Sequence, residues 1–268
     1  MSLYENIAAR LIGTPLQRPA EWLREVRGAR FRKQHPELAE WFREGERTDR
    51  FLEQVVRADT HCIDIGCHIG SFLQKLTTIA PRGHHYAVEP VPQKAARLRE
   101  KFPAVTVLEV ALGETTGTAE FFINQSQTSY SGLKKRTVPG ELQAVQVQCR
   151  RLDEAIPADA RIGFIKIDVN GAESMVLRGA LGLLLRDRPA VLLECTQGGL
   201  DDYGVRSDDV YDFLVGPAGY QVQLLKDYPD GPVLDAAGFR QSMQYPFQAF
   251  NFAVVPGAVE RVTGASGR

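Results

Sequence analysis

Apolar residues change their period along this chain. Trp22, Val26, Leu38, Trp41, Phe42, Leu52, Val55 and Val56 recur at roughly helical spacing. Pro19 and Pro36 open the two stretches that carry them, 18–34 and 36–58, at a position where a missing N–H costs little. No convincing strand pattern precedes residue 59. Basic residues are frequent here and acidic ones nearly match them, as on solvated helix faces. Residues 1–58 therefore read as a helical N-terminal extension: a cap, a substrate lid or a dimerisation arm.

From Thr60 short apolar runs alternate with helix-period segments. Residues 61–65, 84–89, 105–110, 163–168 and 189–196 read as strands. Residues 71–80, 92–102, 171–187 and 207–219 read as helices, the last with Ser207 as N-cap. The alternation predicts an α/β fold with a doubly wound, mostly parallel, seven-stranded sheet. Residues 220–227 and 247–255 have no helix-length segment of clear period between them. They are expected to pair antiparallel, so that the sheet closes on a C-terminal antiparallel strand. Residues 114–160 break the alternation: 117–124 and 144–152 are strand-like and flank the polar stretch QSQTSYSGLKKRTVPGE. This predicts a β-hairpin insertion with a long loop on top. The domain proper runs over 59–260, and 261–268 should fray.

Composition narrows the class. A chain of 268 residues can bury the core of one large α/β domain plus an extension. A net charge of −1 offers no general field for nucleic acid or a membrane surface. No apolar run reaches the roughly 20 residues of a spanning helix. The opening MSLYENIAAR has no apolar core after a basic start, so no secretory signal is read and a cytoplasmic location is expected. Cysteines 62, 67, 149 and 195 form no C-x-x-C pair, which argues against zinc. Cys62, Cys149 and Cys195 read as small buried thiols.

The chemistry sits at strand ends. Four apolar runs end on an acid: Asp64, Glu89, Asp168 and Glu194. Open α/β sheets bind ligands beyond the carboxyl ends of their strands. Buried acids need partners, so four on one edge point to an electronegative ligand pocket. After Asp64 the chain passes Gly66, Cys67, His68, Gly70 and Ser71 into a helix, a D-x-G-x-x-x-G turn with free N–H groups at its end. A dinucleotide G-x-G-x-x-G would need glycine where His68 and Ser71 stand, and no G-K-[S/T] occurs. S-adenosylmethionine suits the pattern better. Glu89 would take its ribose hydroxyls, Asp64 its ammonium, and N–H groups near Gly66–Ser71 its carboxylate, while an acidic rim attracts the sulfonium.

At these residues the chain resembles the class I S-adenosylmethionine-dependent methyltransferases, and more narrowly the FkbM family. The turn from Asp64 through Gly66 and Gly70 to Phe72 is similar to that family's first motif. Glu89-Pro90 resembles its strand–E-P segment. ALGETTGTAEF, from Ala111 and Leu112, looks like the segment beside the adenine. FIKIDVNGAESMVLRGA (164–180) resembles the I-K-I-D-V-E-G-A-E-x-x-V-L-x-G-A signature. One departure stands out: Asn170 occupies the usual Glu position, keeping hydrogen-bonding capacity but not charge. The resemblance implies a Rossmann-like methyltransferase fold and O-methylation of a small molecule, often a sugar or a secondary-metabolite hydroxyl, with S-adenosylhomocysteine as by-product.

Methyl transfer needs an acceptor oxygen placed in line and relieved of its proton. Asp168 is the first candidate to orient the acceptor or act as base, and Glu194 the second. Two acids are too few to assign a divalent metal site. Lys166 reads as an ion-pair partner. His68 reads as a loop base or a solvated residue, and His61, His84 and His85 as structural. Phe121, Phe122, Tyr130, Trp41 and Phe42 are the aromatics available to an acceptor pocket built from the insertion and the N-terminal helices. The expected partner is a small hydroxyl acceptor, with no nucleic acid or membrane. Two other readings stand beside this one: a nicotinamide-dependent oxidoreductase or epimerase, and a non-catalytic S-adenosylmethionine-binding protein.

Overall fold

The structure, a computed structural model, describes residues 3–136 and 138–257. The expected frayed tail at 261–268 lies outside the described residues. In chain order the strands are β1 (Cys62–Ile65), β2 (His85–Val88), β3 (Thr106–Leu108), β4 (Ala111–Leu112), β5 (Gly117–Asn124), β6 (Leu142–Arg150), β7 (Phe164–Ile167), β8 (Ala190–Glu194), β9 (Tyr220–Leu224) and β10 (Asn251–Pro256). Seven form one sheet in the order β3-β2-β1-β7-β8-β10-β9. Only β10 runs against its neighbours, antiparallel to both β8 and β9. β4, β6 and β5 form a second, small sheet around the β5–β6 hairpin.

The chain builds outward from β1 to β3, then returns to place β7 on the other side of β1. That reversal is a topological switch point, where the loops after the two strands diverge and leave a crevice. Every residue of β1, β2 and β7 is buried, as in a parallel sheet covered on both faces.

The helices before the sheet are α1 (Leu3–Leu11), α2 (Gln17–Gln34), α3 (Ala39–Phe42) and α4 (Glu44–Val55). Those within and after it are α5 (Ser71–Ile79), α6 (Pro92–Lys101), α7 (Leu152–Ala155), α8 (Glu173–Gly179), α9 (Leu181–Asp187), α10 (Gln197–Tyr203), α11 (Ser207–Val215) and α12 (Ala236–Ser242). Ile63, Ile165, Val191 and Leu193 face α8, α9 and α11 through Val176, Leu177, Leu184 and Val210. On the opposite face Cys62, Phe164 and Leu192 pack against Phe51 and Leu52 of α4 and Leu76 of α5. α4 is thus integral to the sheet's core, whereas Trp22, Val26 and Phe31 on α2 remain exposed.

Several boundaries differ from expectation. The segment 36–58 divides into a 3-10 turn, α3 and α4. The helix expected over 171–187 turns at Ala180, where Gly179 lies directly on the Gly113 carbonyl, too close for a side chain. Ser207 is the first residue of α11, and Arg206 holds the cap position without a side-chain bond. The strand expected over 105–110 ends at Leu108, and Ala111–Leu112 pairs with β6 instead. α10 and α12 were not expected. Both carry a short N-cap, Thr196 accepting from the Gly199 N–H and Asp235 from the Gly238 N–H. Glycines within their first turn weaken the helical pattern.

Candidate active site

A cavity of about 300 Å³ opens at the carboxyl edge of the sheet, within the range of small-molecule sites. Ile65 ends β1 and Gly66 follows it into the cavity, Glu89, Pro90 and Val91 enter after β2, Asp168 and Asn170 after β7, and Glu194 ends β8. Val88, Val110, Ala111 and Leu112 add an apolar wall. Thr128–Leu133, from the long β5–β6 connection, complete the enclosure.

Local backbone explains the loop after β1. Gly66 has φ +81°, and a Cβ there would collide with the Asp168 carbonyl. It therefore lets the ends of β1 and β7 close on one another. Gly70 has φ +85°, and a Cβ there would come within 2.7 Å of Phe102 and 2.8 Å of Leu98. That glycine seats α6 rather than a ligand. Between them His68 is left-handed at φ 53°, and its N–H donates to Glu89 Oε2 at 2.9 Å. The Val91 N–H donates to Glu89 Oε1 at 3.0 Å. Glu89 is buried, and burial raises its pKa against the pull of Lys94 and these two N–H groups. Each oxygen keeps a further lone pair for a ligand.

Gly66, His68, Glu89, Pro90, Ala111, Leu112, Asp168 and Glu194 all line the cavity. Asp64, Cys67, Gly70 and Ser71 do not. Asp64 lies within β1 on the face toward α4 and α5 and is fully buried there. Neither of its oxygens makes a hydrogen bond of regular geometry, and the Lys166 ammonium stands 3.6 Å away. The Cys67 side chain is buried beside Leu73 and Leu98, and Ser71 begins α5 as an exposed residue.

Parallel pairing places Asp64 directly beside Lys166. Lys166 also donates to Asp168 Oδ2 at 2.9 Å and lies over the Phe72 ring. Burial opposes its charge, but Asp168 and Asp64 outweigh burial and hold its pKa above the usual lysine value. Burial raises the pKa of Asp64 despite Lys166. Glu194 is pushed up to about 8, first by burial and then by Asp168. Glu173 is pushed up to about 7 by burial, although its Oε1 accepts from the Gly171 and Val169 N–H groups.

Among the expected aromatics, Phe121 and Tyr130 reach the cavity, while Phe122, Trp41 and Phe42 do not. No residue of the N-terminal helices lines it, because α4 packs beneath the sheet face and not over the edge. Lys94 was not expected. It sits in the first turn of α6, where the helix dipole disfavours a cation, and that misplaced charge is its sequence signal. Among the described residues no group of three or more His, Cys, Asp and Glu is arranged to hold a metal. No described helix is long and apolar enough to cross a membrane.

The cavity, with a buried acid after β2, an apolar wall and further acids at the ends of β7 and β8, lies at the switch point where open α/β sheets take their ligands. The sequence model of the methyltransferase FkbM domain matches residues 64–222. The chain belongs to the FkbM methyltransferase family, and membership implies a cofactor of the S-adenosylmethionine type. It is 28% identical over 174 residues to the 2-O-methyltransferase NoeI of Sinorhizobium fredii, a match covering 57% of this chain and 72% of that one. The crystal structure of methyltransferase FkbM from Methylobacillus flagellatus is 19% identical with a TM-score of 0.44. That match covers 75% of this chain and spans 44% of the other.

Proposed function

We propose that this protein transfers the methyl group of S-adenosylmethionine to a hydroxyl of a small molecule, a sugar or a glycosylated secondary metabolite, releasing S-adenosylhomocysteine. The observation that carries the reading is that one cavity joins Glu89 to Asp168 and Glu194. β2 and β8 are separated by β1 and β7, so the two acidic poles stand roughly 14 Å apart at 4.8 Å per strand spacing.

The donor set suits an adenosine. Glu89 offers two anchored oxygens to a ribose diol, and Val88, Ala111 and Leu112 offer a flat apolar surface to a base. When bound, the cofactor supplies an electrophilic methyl on a sulfonium. Asp168, fixed by Lys166, accepts a hydrogen bond from the acceptor and orients it. Glu194 takes the proton: its pKa of about 8 is matched to removing a hydroxyl proton near neutral pH. The C–O bond forms as the C–S bond breaks, and the proton ends on a Glu194 oxygen. The 2-O-methyltransferase named among its relatives supports oxygen as the target atom.

The test is transfer of labelled methyl from S-adenosylmethionine to a panel of glycosides and polyols, alongside thermal melts with S-adenosylhomocysteine and with NAD⁺. Glycoside labelling, with a melt shift for S-adenosylhomocysteine alone that is lost in Glu89→Ala, supports the proposal. Binding without transfer to any acceptor would point instead to a non-catalytic binding protein.

A further inference from the structure

The β5–β6 connection does more than cover the cavity. It is fastened on two sides. On the cofactor side, His68 Nε2 meets Thr128 Oγ1 at 3.0 Å and Lys94 Nζ donates to the Thr128 carbonyl at 3.3 Å. On the side of Asp168, Asn170 Nδ2 donates to the Ser129 carbonyl at 2.6 Å and reaches the Ser131 carbonyl at 3.5 Å. Arg136, at the far end of the same connection, donates from Nη1 to Asn170 Oδ1 at 2.8 Å and from Nε to Asp202 Oδ2 at 2.9 Å. Its guanidinium also lies 5.4 Å from the centre of the Tyr130 ring. The Arg136 and Asp202 side chains are 11% and 13% exposed, so the pair is shielded from solvent screening.

We propose that Asn170 and Arg136 are positioning residues for the acceptor: they pin the Ser129–Ser131 turn, and with it Tyr130, over the acceptor end of the cavity. This rests on the methyl-transfer reading above. Asn170 serves because it both donates and accepts. Its Oδ1 takes the Arg136 proton while its Nδ2 holds the two carbonyls. The backbone there is left-handed at φ 57°, a region that Asn tolerates better than most residues. A glutamate here could pair with Arg136 but would set a charge against both carbonyls. Asn170 is thus the latch, and Tyr130, backed by Arg136, offers its ring to an acceptor such as a sugar.

Asn170→Asp is the isosteric probe, since it keeps an acceptor for Arg136 and removes the donor. Arg136→Met releases the other tie. Both leave His68, Lys94 and Glu89 untouched. The acceptor KM should rise at least tenfold in each, with kcat at saturating acceptor and the S-adenosylhomocysteine Kd both within threefold of wild type. Amide hydrogen exchange over 126–133 should quicken at least tenfold in each, with the melting midpoint of Asn170→Asp, which keeps the Arg136–Asp202 pair, shifted by less than about 3 °C. Asn170→Asp with unchanged acceptor KM and unchanged exchange overturns the latch. Equal losses in cofactor affinity, kcat and melting midpoint also overturn it, because they mark a general structural role. If the wild type methylates nothing, that failure belongs to the function reading, and the exchange measurement alone then decides whether the latch exists.

Discussion

Replacing Lys166 with Met should separate the electrostatic core of this site from its packing. Lys166 is 8% exposed and stands between Asp168 at 2.9 Å and Asp64 at 3.6 Å. Asp64 is fully buried and has no regular hydrogen-bond partner. Methionine matches the length and apolar stem of lysine, so little volume is lost. What is lost is the only cation placed against both acids in the structure described. Breaking a buried pair from one side costs about 3–5 kcal/mol, because the remaining charge stays uncompensated. For a domain of this size that is about 10 °C in melting midpoint. The sign with pH follows from burial: without Lys166 the folded protein holds the Asp64 proton to higher pH than the unfolded chain does. Stability is then present below the ordinary carboxylate range, about 4, and is lost as pH rises. Urea unfolding at pH 5 and pH 8 reads both effects, and the loss should be larger at pH 8. Asp64→Asn combined with Lys166→Met should recover much of it, since the fully buried carboxylate that Lys166 faced is then gone. A loss below about 1 kcal/mol at pH 8, or equal losses at both pH values, would refute the reasoning.

Two further outcomes follow from the raised acids. As a base with a pKa of about 8, Glu194 must lose its proton to act, so kcat/KM should fall tenfold per pH unit below that value; Glu194→Gln should lower it by about 10²–10⁴ and flatten this limb, and a full rate at pH 6 would exclude the assignment. Glu173 is 2% exposed with a folded pKa of about 7, so its share of wild-type stability should decline by about 3 kcal/mol as pH rises from 4.5 to above 7; Glu173→Gln should reduce the decline in urea titrations by that amount, and an unchanged slope would count against it.

The sheet was legible because its information is local. β1, β2, β7 and β8 are short apolar runs that end on acids, and their alternation with helices leaves one topology class. The hairpin and the antiparallel final strand were legible for the same reason. What local pattern could not carry was proximity between segments far apart in sequence. Asp64 looks like a ligand-facing acid at a strand end, yet its place inside β1 turns it toward α4 and α5, and only pairing with β7 shows that Lys166 is its neighbour. Gly70 reads as a cofactor-loop glycine, but what it approaches is Leu98 of α6 and Phe102 at its end. The turn Thr128–Ser131 reads as an ordinary polar loop, because the residues that hold it, His68, Lys94 and Asn170, lie some 35 to 60 positions away along the chain.

The acids of the edge are differentiated by what surrounds them, and that division is the basis of the chemistry proposed. Glu89 receives two backbone N–H groups and is fixed as an acceptor. Asp168 receives the lysine. Glu173 receives N–H groups from its own loop and holds the turn that carries Asn170. Glu194 is half-buried, among the described residues none donates a hydrogen bond to it, and desolvation and the acids Asp168, Glu173 and Glu44 raise its pKa against the pull of Lys166. Divergent environments assign divergent roles to chemically similar carboxyls. The groups held by donors can orient and bind, and Glu194, which has no donor and only the outweighed pull of Lys166, gains the proton affinity that a base requires.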